Sequence, residues 1–140
     1  MPSALEEAIA LAVEAHRGQR DKAGAPYILH PLRIMGSMQT ETEKVVAMLH
    51  DVVEDTEWTI ERLRERGFVE EVLTAVDALT RRPEESYEAF VDRAATNPVA
   101  RRVKIADLED NMDVRRIGTV SERDANRLTK YHRAWRSLTA

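Results

Sequence analysis

The chain has 140 residues, 43% of them hydrophobic and 33% charged, and a formal net charge of −4. This is one domain's worth of ordinary globular sequence, and it lacks the basic excess of a general nucleic-acid binder. With no cysteine, disulfides, thiol nucleophiles and thiolate metal sites are excluded, leaving His, Asp and Glu as metal ligands.

Ser3 with Glu6 three residues on is a capping box. Leu5, Ala8, Ile9, Ala12 and Val13 follow at helical spacing and predict a helix over 3–17. His16 lies on the same stripe and reads as a core or edge histidine. Residues 18–26 carry two glycines, a proline and three charges and read as a loop. A short helix is expected from Pro31 to Met38. Thr40 and Glu43 form a second capping box, opening a helix to about Val53. Thr59 starts the next helix, which Gly67 ends. Residues 69–80 are amphipathic, with Val69, Val72, Leu73, Val76 and Leu79 on one side.

After the polar break Arg81-Arg82-Pro83-Glu84, Ser86 opens a helix to about Ala95. Asn97-Pro98 sets an N-cap Asn before a first-turn Pro and begins a helix to about Arg115. Gly118 to Ser121 form a turn, and a last helix runs to about Leu138. On it, Leu128, Tyr131, Trp135 and Leu138 form a packing stripe, and a homo-oligomer contact there stays open. Its basic residues, Arg127, Lys130, Arg133 and Arg136, are those a helix dipole favours near a C-terminus. No stretch alternates with period two. The expected fold class is all-α: a single compact bundle of about eight helices spanning residues 1–140. The N-terminus has no signal-peptide pattern, and no apolar run nears the ~20 residues of a membrane helix. The expectation is therefore a cytoplasmic protein with no membrane and no nucleic-acid partner.

Three segments set polar residues among apolar ones. His30 stands in Pro26-Tyr27-Ile28-Leu29-His30-Pro31, where alone it reads as a core histidine. His50, Asp51, Glu54 and Asp55 crowd the end of an otherwise apolar helix, His50 above Glu54 and Asp51 above Asp55. No basic residue stands in that wall, and crowded carboxylates without Lys or Arg ask for a cation. Asp107 follows an apolar run, and burying it requires a metal or a partner such as Lys104, three residues earlier. Together the segments offer two imidazoles and two carboxylates, a donor set for manganese, iron, zinc or magnesium. Such an ion acidifies water near neutral pH, and Glu54 and Asp55 stand one turn along to orient it or move protons.

His30, then His50-Asp51, then Asp107 resemble the H…HD…D pattern of the HD phosphohydrolases. Ala15-His16-Arg17-Gly18-Gln19, Pro26 through Leu32, Leu49 through Thr56, Leu79-Thr80 and Val103 through Met112 narrow the resemblance to the hydrolase domain of RelA/SpoT-type proteins. The resemblance covers roughly residues 5–115. It implies removal of the 3′-pyrophosphate of (p)ppGpp with Mn2+ held by His30, His50, Asp51 and Asp107. It also implies that Glu54 and Asp55 activate water and that Asn111 and Lys22 approach the nucleotide. Since the chain stops soon after the hydrolase pattern, it is similar to stand-alone small alarmone hydrolases.

Where that family commonly carries Arg-Lys-Ser, this chain has Asp21-Lys22-Ala23. Where it often has Arg-Leu-His, this chain has Leu108-Glu109-Asp110. Both changes remove positive charge near the expected substrate, leaving Arg20, Lys22 and Lys104 for its phosphates. Two alternatives follow: an HD-type nucleoside monophosphate phosphatase, and a non-catalytic nucleotide-binding module.

Overall fold

Helix starts are fixed by the side chains the sequence places before them. In the computed structural model, which describes residues 1–140, Ser3 accepts from the Glu6 amide while the Glu6 carboxylate accepts from the Ser3 amide. Thr40 with Glu43, and Ser121 with Asp124, make the same reciprocal pair. Thr59, Ser86 and Asn97 cap with one bond each. The resulting helices are α1 (Ala4–Ala15), α2 (Leu29–Gly36), α3 (Glu41–Leu49), α4 (Val52–Asp55), α5 (Ile60–Glu65), α6 (Glu70–Ala78), α7 (Tyr87–Ala95), α8 (Pro98–Asn111) and α9 (Glu122–Thr139). A 3-10 turn, Val114–Arg116, takes up what was expected to be the end of α8. No strand forms, and no helix is long and apolar enough to cross a membrane.

Nine helices stand where eight were expected, because the helix predicted to reach Val53 breaks at His50-Asp51. Asp51 has φ −105° and ψ −2°, off the helical values, and α4 restarts at Val52. The His50 Nδ1 turns back onto the Ala47 carbonyl at 2.6 Å. Successive side chains on a straight helix point ~100° apart. The break lets His50 and Asp51 converge, with His50 Nε2 3.0 Å from Asp51 Oδ2. The Asp55 amide still donates to the Asp51 carbonyl at 2.9 Å, so Asp51 and Asp55 keep their i,i+4 relation through the restart.

Helix α3 is the centre of the fold. Val45, Val46, Ala47, Met48 and Leu49 are all buried, so it is apolar almost all round, as a core helix must be. It packs against α1, α2, α6 and α8. One large apolar cluster joins these helices with Leu63 and Phe68, while a smaller one, Val91, Leu108, Ala134 and Leu138, fastens α9 to α7 and α8. Two expected core valines lie outside. The buried stripe of α1 runs through Ala8, Leu11, Ala12 and His16 and leaves Val13 exposed, and Val69 is the exposed N-cap of α6.

The loop from Arg17 to Ile28 is shaped from within. Gly18 and Gly24 have φ of +87° and +86°, a region an L side chain rarely enters. Asp21 Oδ1 accepts from the amides of Ala23 and Ala25 at 2.9 Å each, and Arg20 bridges Pro26.

Candidate metal centre

The first turn of α2 supplies His30, the α3–α4 break supplies His50 and Asp51, and α8 supplies Asp107. One donor atom from each lies within 4.8 Å of the others. All four residues are buried or nearly so. His30 Nε2 is 2.8 Å from Asp107 Oδ1 and 3.8 Å from Asp51 Oδ2, and His50 Nε2 is 3.5 Å from Asp107 Oδ1. The four residues expected as metal ligands are thus brought together.

Burial disfavours charge on both imidazoles, yet the carboxylates beside them outweigh it and raise the pKa of His30, and of His50 by far more. Burial also opposes the carboxylate charges; Lys104 and the imidazoles outweigh it at Asp107, and His50 outweighs it at Asp51, so both are lowered. Protons and a divalent ion compete for these atoms. Two observations fit a metal. The donor set of two imidazole nitrogens and two carboxylates suits a hard-to-borderline ion. His50 Nε2 is also fully enclosed and makes no well-aligned hydrogen bond, an arrangement that normally calls for a partner. The opposite ring nitrogens are spoken for: His50 Nδ1 by the Ala47 carbonyl and His30 Nδ1 by Asp110 Oδ2 at 2.6 Å. That leaves both Nε2 atoms facing the centre.

The Tyr27 hydroxyl donates to Asp51 Oδ2, and Asn111 Nδ2 donates to Asp107 Oδ1 at 3.2 Å. His16 is buried beside Tyr27, its Nδ1 on Gln19 and its ring 4.9 Å from the tyrosine ring. Its burial agrees with the core reading of its place on the α1 stripe.

Asp55 keeps access to solvent, but the protein packed around it, with Asp51 and Glu54 close by, pushes its pKa up to about 6. Glu54 is exposed and accepts from the Arg81 amide at 2.8 Å, which ties α4 to the start of the α6–α7 connection. Lys104 departs from its expected place among the phosphate contacts. It is buried, its Nζ is 2.9 Å from Asp107 Oδ2, and it lies 5.0 Å over the Phe90 ring. The salt-bridge alternative describes it correctly.

A cavity of about 280 Å³ opens beside His30. Arg20, Lys22 and Asn111 line it, as expected of nucleotide contacts, and so do Arg33, Arg116, Arg127 and Tyr131. Against these five cations stand Asp21, Asp110, Asp113 and Asp124. Sequence reasoning missed Arg33, Arg116, Arg127, Tyr131, Tyr27 and Asp110. Helical spacing held a signal for some of them: Tyr27 and Arg33 each lie three residues from His30, and Asp110 three beyond Asp107. Arg127 and Tyr131 were assigned to the dipole and to packing because nothing in the sequence folds α9 back over the loop.

Residues 8–119 match the family described as HD domain. The guanosine-3′,5′-bis(diphosphate) 3′-pyrophosphohydrolase of Aquifex aeolicus is 32% identical over 120 residues, covering 77% of this chain and 17% of that protein. A GTP pyrophosphokinase of Streptomyces coelicolor is 36% identical over 121 residues, covering 77% of this chain and 14% of that protein. This chain thus spans about a sixth of the length of these curated relatives. Among solved structures, a metazoan orthologue of SpoT that hydrolyses ppGpp superposes with a TM-score of 0.78 at 24% identity, over 99% of this chain and 86% of that one. That likeness concerns the fold.

Proposed function

The chain belongs to the HD domain family, and from that premise we propose that it is a metal-dependent phosphohydrolase whose first candidate substrate is (p)ppGpp, cleaved at its 3′-pyrophosphate. The observation that carries this reading is the convergence of His30, His50, Asp51 and Asp107 within 4.8 Å at the edge of a cavity lined by five cationic side chains. Those four residues would hold the ion, with Mn2+ the first choice. A divalent ion there supplies Lewis acidity, drawing charge from a phosphoryl oxygen and acidifying water.

The remaining chemistry belongs to the chain's own residues. Water adds to the phosphorus nearest the ribose, the 3′ O–P bond breaks, and pyrophosphate leaves. Asp55, whose pKa burial and the neighbouring Asp51 and Glu54 raise, is placed to take the water proton and pass one toward the 3′ oxygen. Glu54, fixed by the Arg81 amide, supports Asp55 in its raised state by repulsion. Tyr27 holds Asp51 by its hydroxyl. Arg20, Lys22, Arg127 and Asn111 receive the phosphates and nucleoside, and Tyr131 offers an aromatic face. In this reading residues 1–140 act as one domain, and the compartment is the cytoplasm.

The test is hydrolysis of ppGpp by purified, Mn2+-loaded protein, with release of pyrophosphate as the expected result. His50→Ala and Asp51→Ala should abolish turnover while helicity by circular dichroism is kept. Retained turnover in either variant would overturn the mechanism. A second reading, a nucleoside monophosphate phosphatase, is favoured by the near balance of charge in the cleft and by Asp21, whose carboxylate closes its own loop. Preferential turnover of simple monophosphates over ppGpp would select it.

A further inference from the structure

Asp110 stands at the edge of the cleft, and its bonds point in two directions. Toward the metal centre, its Oδ2 lies 2.6 Å from Nδ1 of His30. Toward the cleft, Arg33 donates to both its oxygens, Nε to Oδ1 at 2.7 Å and Nη2 to Oδ2 at 3.0 Å. Arg116 adds an ion pair to Oδ1 at 3.4 Å and a hydrogen bond to the Asp110 carbonyl at 2.9 Å. The side chain is 11% exposed. A carboxylate held from both oxygens cannot rotate away from the ring it faces. The His30 ring carries one donor toward Asp110, so its other nitrogen, 2.8 Å from Asp107 Oδ1, is the one that faces the centre.

We propose that Asp110 is a positioning residue for the metal centre: it accepts the Nδ1–H of His30 and so fixes Nε2 as the ligating atom, while Arg33 and Arg116 hold Asp110 in place. The inference rests on the metal-centre reading above. Partners of this kind orient a ligand ring and raise its basicity. The arrangement also accounts for Arg33 and Arg116, which are engaged with a carboxylate rather than free for substrate. The charge that Asp110 brings to the rim of the cleft thus serves the ligand next to it.

The experiment is Mn2+ affinity, measured by competition with a fluorescent chelator, on wild type, Asp110→Ala, Asp110→Asn and Arg33→Met, with melting followed in parallel. Asp110→Ala should bind Mn2+ about 10- to 100-fold more weakly. Asp110→Asn keeps an acceptor for Nδ1–H but loses the charge, and should bind Mn2+ more tightly than Asp110→Ala. Arg33→Met removes the bidentate hold on Asp110 but leaves the carboxylate beside His30, and should weaken Mn2+ binding by less than Asp110→Ala does. Wild-type affinity in Asp110→Ala overturns the proposal, and so does an Asn variant as weak as the Ala variant. If Asp110→Ala does not fold, Asp110→Leu, which also lacks an acceptor for Nδ1–H, replaces it, and wild-type affinity in that variant overturns the proposal. A wild type that does not bind Mn2+ overturns the metal-centre reading and this inference with it.

Discussion

Lys104 shows how one side chain can look like a substrate contact in the sequence and behave as a counter-ion in the fold. Its position three residues before Asp107 allowed both, and burial decides between them. Burial opposes its charge, but Asp107 and the neighbouring Tyr87 oxygen outweigh that and raise its pKa. Removing one partner of such a pair leaves the other charged and dry, at a cost of about 3–5 kcal/mol. Lys104→Met should therefore destabilise the metal-free protein in urea unfolding, by less than that figure because His30 and Asn111 still bond Asp107. The same variant should bind Mn2+ more tightly, because it removes a positive charge beside Asp107. Unchanged stability, or weaker metal binding, would show that Asp107 does not depend on this lysine. The four converging residues were legible because carboxylates and imidazoles crowded without a base are costly unless they share a cation. Asp110 was not, because the sequence shows its charge and hides the ring it faces.

Helix boundaries came through where a side chain makes the boundary. The capping boxes at Ser3 and Thr40 and the Asn97-Pro98 start all mark true N-termini. The break at His50-Asp51 did not show, because the pattern there is apolar on both sides and no Gly or Pro announces it. Its cause is a side-chain bond back to Ala47 and a convergence made useful only by His30 and Asp107, far away in the chain. The connection from α6 to α7, read only as a polar break, is clamped by Arg93. Its guanidinium donates to the Asp77 and Thr80 carbonyls at 3.0 and 2.8 Å and grips both oxygens of Glu85. Those bonds from Arg93, helped by the Arg82 amide, hold the Glu85 pKa down at about 2. A carboxylate lowered on folding adds stability above its unfolded pKa and loses it as pH falls toward the folded one. Glu85→Gln should thus lower Tm at pH 7, and the gap to wild type should close between about pH 4.5 and pH 2. A gap that persists at pH 2 would mean that the clamp does not depend on the charge of Glu85.

At the scale of the molecule, the metal centre ties three distant segments, α2, the α3–α4 break and α8, to one point beside the larger core. Ligand binding to the folded state alone stabilises it by about 2.7 kcal/mol at a hundredfold excess over Kd. For a chain of this size that corresponds to a rise in Tm of about 5–10 °C. Calorimetry with and without Mn2+ should show the rise in wild type and none in His50→Ala; equal melting of wild type in both conditions would remove the ion from the folded state. The fold class was legible from period and composition alone, but the way α9 closes over the loop was not, because that depends on a four-residue apolar cluster assembled from three helices.

That division has a thermal consequence. The cleft has walls of unequal durability: His30 and the loop are anchored beside the large cluster, whereas Arg127 and Tyr131 ride on a helix fastened by the small one. Local opening follows the weaker anchorage first. On warming, α9 should be the first element to detach, leaving His30, His50, Asp51 and Asp107 together while one side of the groove is lost. A ligand in that groove would then be the earlier casualty of heat, and an ion held by the four converging residues the later one.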